Sequence, residues 1–365
     1  MEIKLCQPSI TQAETDAAVA ALNSGWLTEG PKNEEFQKNF ADYLGIKHAI
    51  TVNSCASALF VAVKALNITG EVIVPSFTFP ATANAVVTAG ATPIFADINL
   101  ETLNLDATAI ENKITTKTQA VIIVHTAGQA CEMDKIMALV KKHNLFLIED
   151  SAQTIGGTFN GQKTGSFGDI GCFSFFPTKN MTTGEGGMLT TNSDELAKKM
   201  KILIAHGVER STDANGNLVR AVVEPGYNFR MSNVLAAVGV EQLKRLDEMN
   251  ARRIAWANYF NEKITNPQII KPVAAAGASH VFQMYIIRME NGRDEMMKKL
   301  KAAGVGATIY CNPPVHQQPY YQKKYFTADD QLPNTIKAAK ENIILPMYPA
   351  MTSIEIDYII NIINS

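Results

Sequence analysis

At 365 residues, 46% of them hydrophobic and 19% charged, the chain is long enough for a large domain with a smaller companion and too apolar to stay disordered over any long segment. A net charge of −2 with scattered Lys and Arg offers no basic face for nucleic acid. The five cysteines (Cys6, Cys55, Cys131, Cys172 and Cys311) are odd in number and never spaced C-x-x-C, which argues against a disulfide framework or a zinc site and for a reducing, cytoplasmic setting.

The opening MEIKLCQPSI has neither a signal-peptide nor a transit-peptide pattern, and no apolar run approaches the length of a bilayer span, so no membrane association is expected. VNSCASALFVAVKAL (52–66) places Asn53, Ser54, Cys55 and Ser57 at the start of a helix with an apolar face. Free backbone N–H groups and the dipole at such a start can seat an anion, although an ordinary Ser or Asn helix cap is the commoner use of these residues. EVIVPSFTFPATANA (71–85) then carries Phe77 and Phe79 at the end of an apolar run. Either fills the core, or one of them offers a flat face to a planar ring.

Next come TPIFADI (92–98), KTQAVIIVH (117–125), the helical CEMDKIMALVKKH (131–143) and LFLIED (145–150). Continuous apolar strands separated by helices predict a parallel sheet covered on both faces. Ligands of such sheets bind beyond the carboxyl ends of the strands, where LFLIED delivers Glu149 and Asp150. Because side chains alternate along a strand, only one of the two can face a given site. GTFNGQKTG (157–165) is the nearest approach to a phosphate-binding NTPase loop, but Gln162 breaks the Gly-Lys-Thr order. No G-x-G-x-x-G follows an early strand either. GCFSFFPTKNMTTGEGGM (171–188) ends an apolar run at Lys179 and continues into Gly and Thr. A lysine there either snorkels to water or is held for chemistry.

SNVLAAVGVEQLKRLDEMNARRIAWANYFNEKI (232–264) reads as one long amphipathic helix bridging two domains. Beyond it, HVFQMYIIRM (280–289), the helix DEMMKKLKAAG (294–304) and a strand VGATIY (305–310) form a smaller α+β unit. The division expected is 1–245 for the large α/β domain and 246–365 for the small one. Of the six histidines, His125, His206 and His316 are placed nearest a site, and no pair has metal-ligand spacing.

An anion seat, an aromatic platform, a strand-end carboxylate and a downstream lysine together meet the needs of a phosphorylated pyridine cofactor. Its phosphate must be cradled, its ring held flat, its ring nitrogen kept protonated and its aldehyde captured by an amine.

PSFTFPATANAVVTAGATPIFADI, VHTAGQACEMDKI, IEDSAQTIGGTFNGQKTGSFGDIGCFSFFPTKNMTTGEGG and PGYNFRMSNVLAAVGVEQL resemble the successive blocks of the nucleotide-sugar aminotransferases, the DegT/DnrJ group of fold-type I pyridoxal-phosphate (PLP) enzymes. The likeness runs from LNSGWLTEGP (22–31) to NPPVHQQPYY (312–321). It implies a large domain with a mostly parallel sheet between helices and a small C-terminal α+β domain. It implies that Lys179 joins the cofactor's aldehyde and shuttles protons, that Asp150 pairs with the pyridine nitrogen, and that Gln153 lies on the side of the ring's 3-hydroxyl. Ser174 matches a phosphate-binding hydroxyl. Ser54, Cys55 and Ala56 fall where relatives read Gly-Thr-Ala, so Cys55 leaves the backbone rather than the side chain to contact phosphate. Phe79 matches the stacking aromatic, and Asn228 an asparagine that reaches the cofactor phosphate of a neighbouring subunit in a homodimer.

The substrate loops of the family match Trp26, Thr28 and Gly30 near the start, Arg230, and Tyr310 and His316 in YCNPPVHQQPYY. The reaction implied is ping-pong transfer of an amino group, with L-glutamate as donor, to a keto sugar on a nucleoside diphosphate, a 6-deoxy hexose. A dehydratase branch of the same fold carries histidine in place of the lysine. A non-catalytic regulator would have lost Lys179 or Asp150, and both are present.

Overall fold

The computed structural model describes residues 1–213 and 215–365. Nine strands lie between residues 48 and 191: β1 (His48–Val52), β2 (Glu71–Pro75), β3 (Thr92–Ala96), β4 (Thr118–Val124), β5 (Phe146–Asp150), β6 (Thr158–Phe159), β7 (Gln162–Lys163), β8 (Ile170–Ser174) and β9 (Gly187–Thr191). All but β6 and β7 join one seven-stranded sheet of order β1-β9-β8-β5-β4-β2-β3. Neighbours from β3 to β8 are parallel, while β9 is antiparallel to both β8 and β1. The sheet is therefore mostly parallel, with β9 alone running against the rest.

Alternation along the strands divides the sheet's side chains between two helical layers. Val72, Val74, Ile122 and Ile148 pack with the helices Cys55–Ala65, Ala81–Thr88 and Asp194–Leu203. Ile73, Val121, Ile123 and Leu147 pack on the other face with the helix Met133–His143. Both faces of the central strands are covered, which is why these strands read as unbroken apolar runs. Strand direction brings the carboxyl ends of β2, β4 and β5 to one edge, together with the start of the helix Cys55–Ala65.

The long helix spans Asn233–Lys263, 31 residues, and is capped by Ser232, whose hydroxyl accepts from the Leu235 N–H. At 1.5 Å per residue it is roughly 46 Å long. Its first half, through Ala236, Val240, Leu246 and Met249, packs on Phe36, Phe40, Phe173 and Phe175. Its second half, through Ala257 and Phe260, enters a separate core with Tyr285, Ile343 and Ile359, which Ile3 from the N-terminal segment also joins.

Three features depart from the sequence pattern. An exposed hairpin, β10 (Val208–Thr212) with β11 (Leu218–Val222), pairs only with itself and was not foreseen. In the C-terminal unit the apolar run 280–289 contributes only β12 (Tyr285–Arg288), antiparallel to β13 (Asn342–Leu345). VGATIY (305–310) is not a strand. Val305 and Thr308 make isolated bridges to Ile3 and Ile344, and the Asn342 side chain accepts from the Tyr310 N–H (2.7 Å) and donates to the Tyr310 C=O (2.9 Å). One side chain thus satisfies the two Tyr310 backbone groups that would have continued the pairing begun at Thr308. Among the described residues, no helix is long and apolar enough to cross a membrane.

Candidate active site

At the end of β5 the two carboxylates part, and each is bound differently. Glu149 is fully buried on one side of the strand. It accepts N–H bonds from Gly165 (2.7 Å), Phe167 (2.7 Å) and Gly168 (2.8 Å), and a fourth bond from His125 Nε2 at 3.0 Å. The His125 Nδ1 already accepts from the Cys131 N–H (3.0 Å), so the ring proton sits on Nε2 and points at Glu149. Gly165 has φ +82°, and a Cβ there would lie 2.1 Å from Phe173 Cζ, so glycine is required for the loop to close on this carboxylate. The loop that superficially suggests an NTPase therefore wraps an internal anion, and its Lys163 ammonium lies 3.6 Å over the Tyr43 ring. Glu149 and His125 belong to the scaffold.

Asp150 faces the other way, into a cavity of about 380 Å³. Its Oδ2 accepts from Thr82 Oγ1 (2.8 Å) and its Oδ1 from the Ala152 N–H (3.2 Å). Burial pushes its carboxyl above the ordinary range, while the Thr82 hydroxyl, the Ala152 N–H, and then Lys179 and His125 pull it back. Among the described residues, no ion pair engages it.

Ser54, Cys55 and Ala56 line the same cavity at the start of the helix Cys55–Ala65. Ser54 caps that helix, its hydroxyl accepting from the Ser57 N–H at 3.1 Å. Helix starts of this kind present unpaired N–H groups and a partial positive charge. The approach of β9 is close: a Cβ on Gly187 would lie 2.6 Å from the Ser54 carbonyl carbon. The Cys55 thiol is buried, 4.0 Å from Asp150 Oδ1, and burial and Asp150 both raise its pKa, so it stays a neutral wall group.

β8 ends at Ser174, which lines the cavity and whose hydroxyl accepts from the Phe176 N–H at 3.4 Å. The chain turns after Pro177, with the Lys179 N–H bonded to the Phe176 C=O (2.9 Å), and brings Lys179 to the cavity wall. Gln283 pins this turn by donating to the Thr178 C=O at 2.8 Å. Burial lowers the Lys179 pKa, with the Asp150 carboxylate as the main opposing influence. Phe77 is fully buried in the core, whereas Phe79, 67% exposed, stands on the cavity rim. Gln153 accepts from the Ala127 N–H (2.7 Å) and donates to Tyr310 Oη (3.0 Å), which sets its amide and joins it to Tyr310 on the same wall.

Other residues singled out in the sequence lie elsewhere in the chain. Trp26, Thr28, Gly30 and Arg230 line a different groove of about 900 Å³, shared with His206 and with Arg210 and Arg220 of the hairpin. Asn228 is exposed outside the cavity, its Oδ1 accepting from Arg230 Nε (3.1 Å) and Nη2 (2.9 Å). His316 is fully buried away from the cavity, with Nδ1 2.6 Å from Ser76 Oγ and Nε2 3.1 Å from Asp329 Oδ1. A substrate cannot reach that ring without unfolding the contact. Thr78, Thr82, Glu185 and Gln283 line the cavity without having been singled out. The four-residue spacing of Thr78 and Thr82 at a helix entry was the one available signal. Among the described residues, no group of three or more His, Cys, Asp or Glu could hold a metal ion.

The cavity therefore combines a helix start able to bind phosphate, a buried carboxylate without a cationic partner in contact, an amine of lowered basicity and an aromatic rim. These are the complements of PLP, and the residues fit it.

The family model described as "DegT/DnrJ/EryC1/StrS aminotransferase family" matches residues 8–364. The chain is 40% identical over 366 residues to the spore coat polysaccharide biosynthesis protein SpsC of Bacillus subtilis, covering 97% of this chain and 94% of that one. It is 39% identical over 367 residues to the GDP-perosamine synthase of Caulobacter vibrioides, covering 98% and 96%. A solved structure of the putative sugar aminotransferase Spr1654 from Streptococcus pneumoniae in its PLP form superposes with a TM-score of 0.94 at 28% identity, covering 100% of this chain and 98% of that one. The mostly parallel sheet, the cavity at its carboxyl edge and these matches lead to one conclusion: the chain belongs to the DegT/DnrJ/EryC1/StrS family and is a PLP-dependent sugar aminotransferase.

Proposed function

We propose that the protein moves an amino group from L-glutamate to the keto carbon of a 6-deoxy hexose carried on a nucleoside diphosphate, in two successive half-reactions at one cavity, in the cytoplasm. The observation that carries this reading is the placement of Lys179 and Asp150 on the wall of a single cavity beside a helix start. The relative named GDP-perosamine synthase supports a nucleotide-linked sugar as acceptor.

PLP, when bound, supplies an aldehyde that condenses with amines and a ring that withdraws electrons from the substrate carbon. The chain supplies the rest. The N–H groups at the start of the helix Cys55–Ala65, with Ser174, would bind the phosphate. Phe79 would cover the ring, Gln153 would lie by its hydroxyl, and Asp150 would hold the proton of the ring nitrogen. Lys179, less basic than a free lysine, takes a proton from the substrate carbon in one half-reaction and returns one in the other. Tyr310, on the same wall, would orient the sugar. Part of this reading is a division of the chain near residue 245, since the long helix runs from the core of the sheet domain to the C-terminal one.

With glutamate alone, the purified protein should release about one equivalent of 2-oxoglutarate per active site, with continuous release only when a nucleotide-linked keto hexose is added. Loss of water from the sugar with no amine transferred would instead mark a dehydratase.

The proposal includes a homodimer whose sites are shared. Asn228, Arg230 and Trp26 lie outside the chain's own cavity, beside an exposed hairpin bearing Leu218, Val219 and Val222. If Asn228 serves the partner's cavity, mixing inactive Lys179→Ala and Asn228→Ala proteins in equal amounts should restore about a quarter of wild-type activity, because half the dimers are hybrid and each has one intact site. No recovery after subunit exchange has been verified would show that each site is built from one chain.

A further inference from the structure

Asp150 is held by two strong donors of different kinds, with the Cys55 thiol as a weak third 4.0 Å from Oδ1. The Ala152 N–H is backbone and survives any side-chain change, whereas Thr82 Oγ1, 2.8 Å from Oδ2, is the one side-chain hydroxyl bonded to the carboxylate among the described residues. Thr82 lies in the first turn of the helix Ala81–Thr88 and Thr78 in the bend that leads into it, and their hydroxyls meet at 3.1 Å. Both threonines are buried, at 1% and 2% exposure, which leaves little room for water to replace either hydroxyl.

The direction of this chain of hydroxyls follows from valence. An ionised carboxylate only accepts, so the single Thr82 proton goes to Asp150, and the Thr78 hydroxyl must then donate to Thr82. The order Thr78 to Thr82 to Asp150 is compatible with the anion and favours it over the neutral acid.

We propose that Thr82 is a positioning residue for Asp150: its hydroxyl, oriented by Thr78, fixes Oδ2 and holds the carboxylate as an anion facing the cofactor cavity. The inference rests on the reading of Asp150 as the partner of the cofactor's ring nitrogen. Burial works against the anion, and the Thr82 hydroxyl is the largest influence opposing burial. The titratable groups facing Asp150 from the surrounding elements are Cys55, Cys172 on β8, Lys179, His125 at the end of β4, and Tyr310. Burial keeps the thiols and the phenol neutral. Of these only Cys55 Sγ lies near the carboxylate as a donor, a weak one 4.0 Å from Oδ1, so it does not take the place of the Thr82 hydroxyl on Oδ2.

The test strips PLP from wild type, Thr82→Val, Thr82→Ser, Thr78→Val and Asp150→Asn. PLP is then titrated back between about pH 5.5 and 8.5 while fluorescence quenching and visible absorbance are followed. For Thr82→Val the Kd should rise about tenfold near neutral pH, and the acid limb of the affinity profile should move up by about one pH unit, because the carboxyl loses a donor that favours its anion. Thr82→Ser should stay within about threefold of wild type, and Thr78→Val should shift the limb the same way by less. A wild-type Kd and an unmoved limb in Thr82→Val overturn the proposal, as does a serine variant as impaired as the valine one, which would indicate packing. Melting temperatures of the cofactor-free proteins report folding. If Thr82→Val does not fold, an unmoved limb in Thr78→Val overturns the proposal and a moved one supports it. A normal Asp150→Asn profile would remove the underlying reading of Asp150. An altered one beside a normal Thr82→Val removes only the role of Thr82.

Discussion

Lys179→Ala is expected to lower transamination by at least about 10⁴-fold, since in the proposed reading it removes both the amine that captures the cofactor and the base that moves the substrate proton. Lys179 is the only Lys or Arg among the described residues of the cavity wall, so no neighbouring cation can take over. Two measurements separate this loss from misfolding. The mass increase that borohydride fixes on the wild-type chain in the presence of PLP should disappear, and the melting temperature of the cofactor-free protein should not fall. Its ammonium has no ion pair among the described residues, and its desolvation opposes the charge, so removing it costs the fold little. Near-normal turnover in this variant would dismiss the aminotransferase chemistry at this cavity. The lowered basicity of Lys179 also gives a sign for pH: the neutral amine is present at lower pH than for a free lysine, so the rise of activity with pH should occur below the ordinary lysine range.

Asp150→Asn is expected to cost about 10²–10³-fold in kcat while PLP still binds, because a neutral amide cannot stabilise a positive ring nitrogen. The substitution is nearly isosteric, and its oxygen can still accept from the Ala152 N–H. The new amide would donate towards Thr82, which would then turn its own proton to Thr78, reversing the order of the hydroxyls at a stability change of about 1 kcal/mol. The measurement is kcat against KM with a saturating donor, alongside the absorbance of bound PLP. An undiminished kcat would exclude a partnership between Asp150 and the ring.

Much of the sheet was legible because its signals are local. The segments 92–98, 117–125 and 145–150 marked β3, β4 and β5 to within two residues, and the apolar run that opens 71–85 marked β2. Period-two alternation placed Glu149 and Asp150 on opposite sides of one strand. VGATIY misled because its β-rich composition is real, whereas its pairing with β13 goes no further than Thr308, the Tyr310 backbone groups being taken by the side chain of Asn342, distant in sequence. His316 misled because a histidine's use depends on what surrounds it, and here Ser76 and Asp329 occupy both nitrogens.

The sequence alone determined the fold class, the helix start at Ser54, and a lysine delivered just after a buried strand and its proline. These depend on neighbours within a few residues, where periodicity and capping act. Only the tertiary structure decided which carboxylate enters the cavity and what restrains it. Glu149 is enclosed by a loop up to 19 residues later, and Asp150 is held by a threonine 68 residues earlier. It also decided that Asn228, Arg230 and Trp26 stand apart from Lys179 in a single chain. Hydrogen bonds and burial at such separations depend on how whole elements pack, and no short stretch of residues encodes that packing.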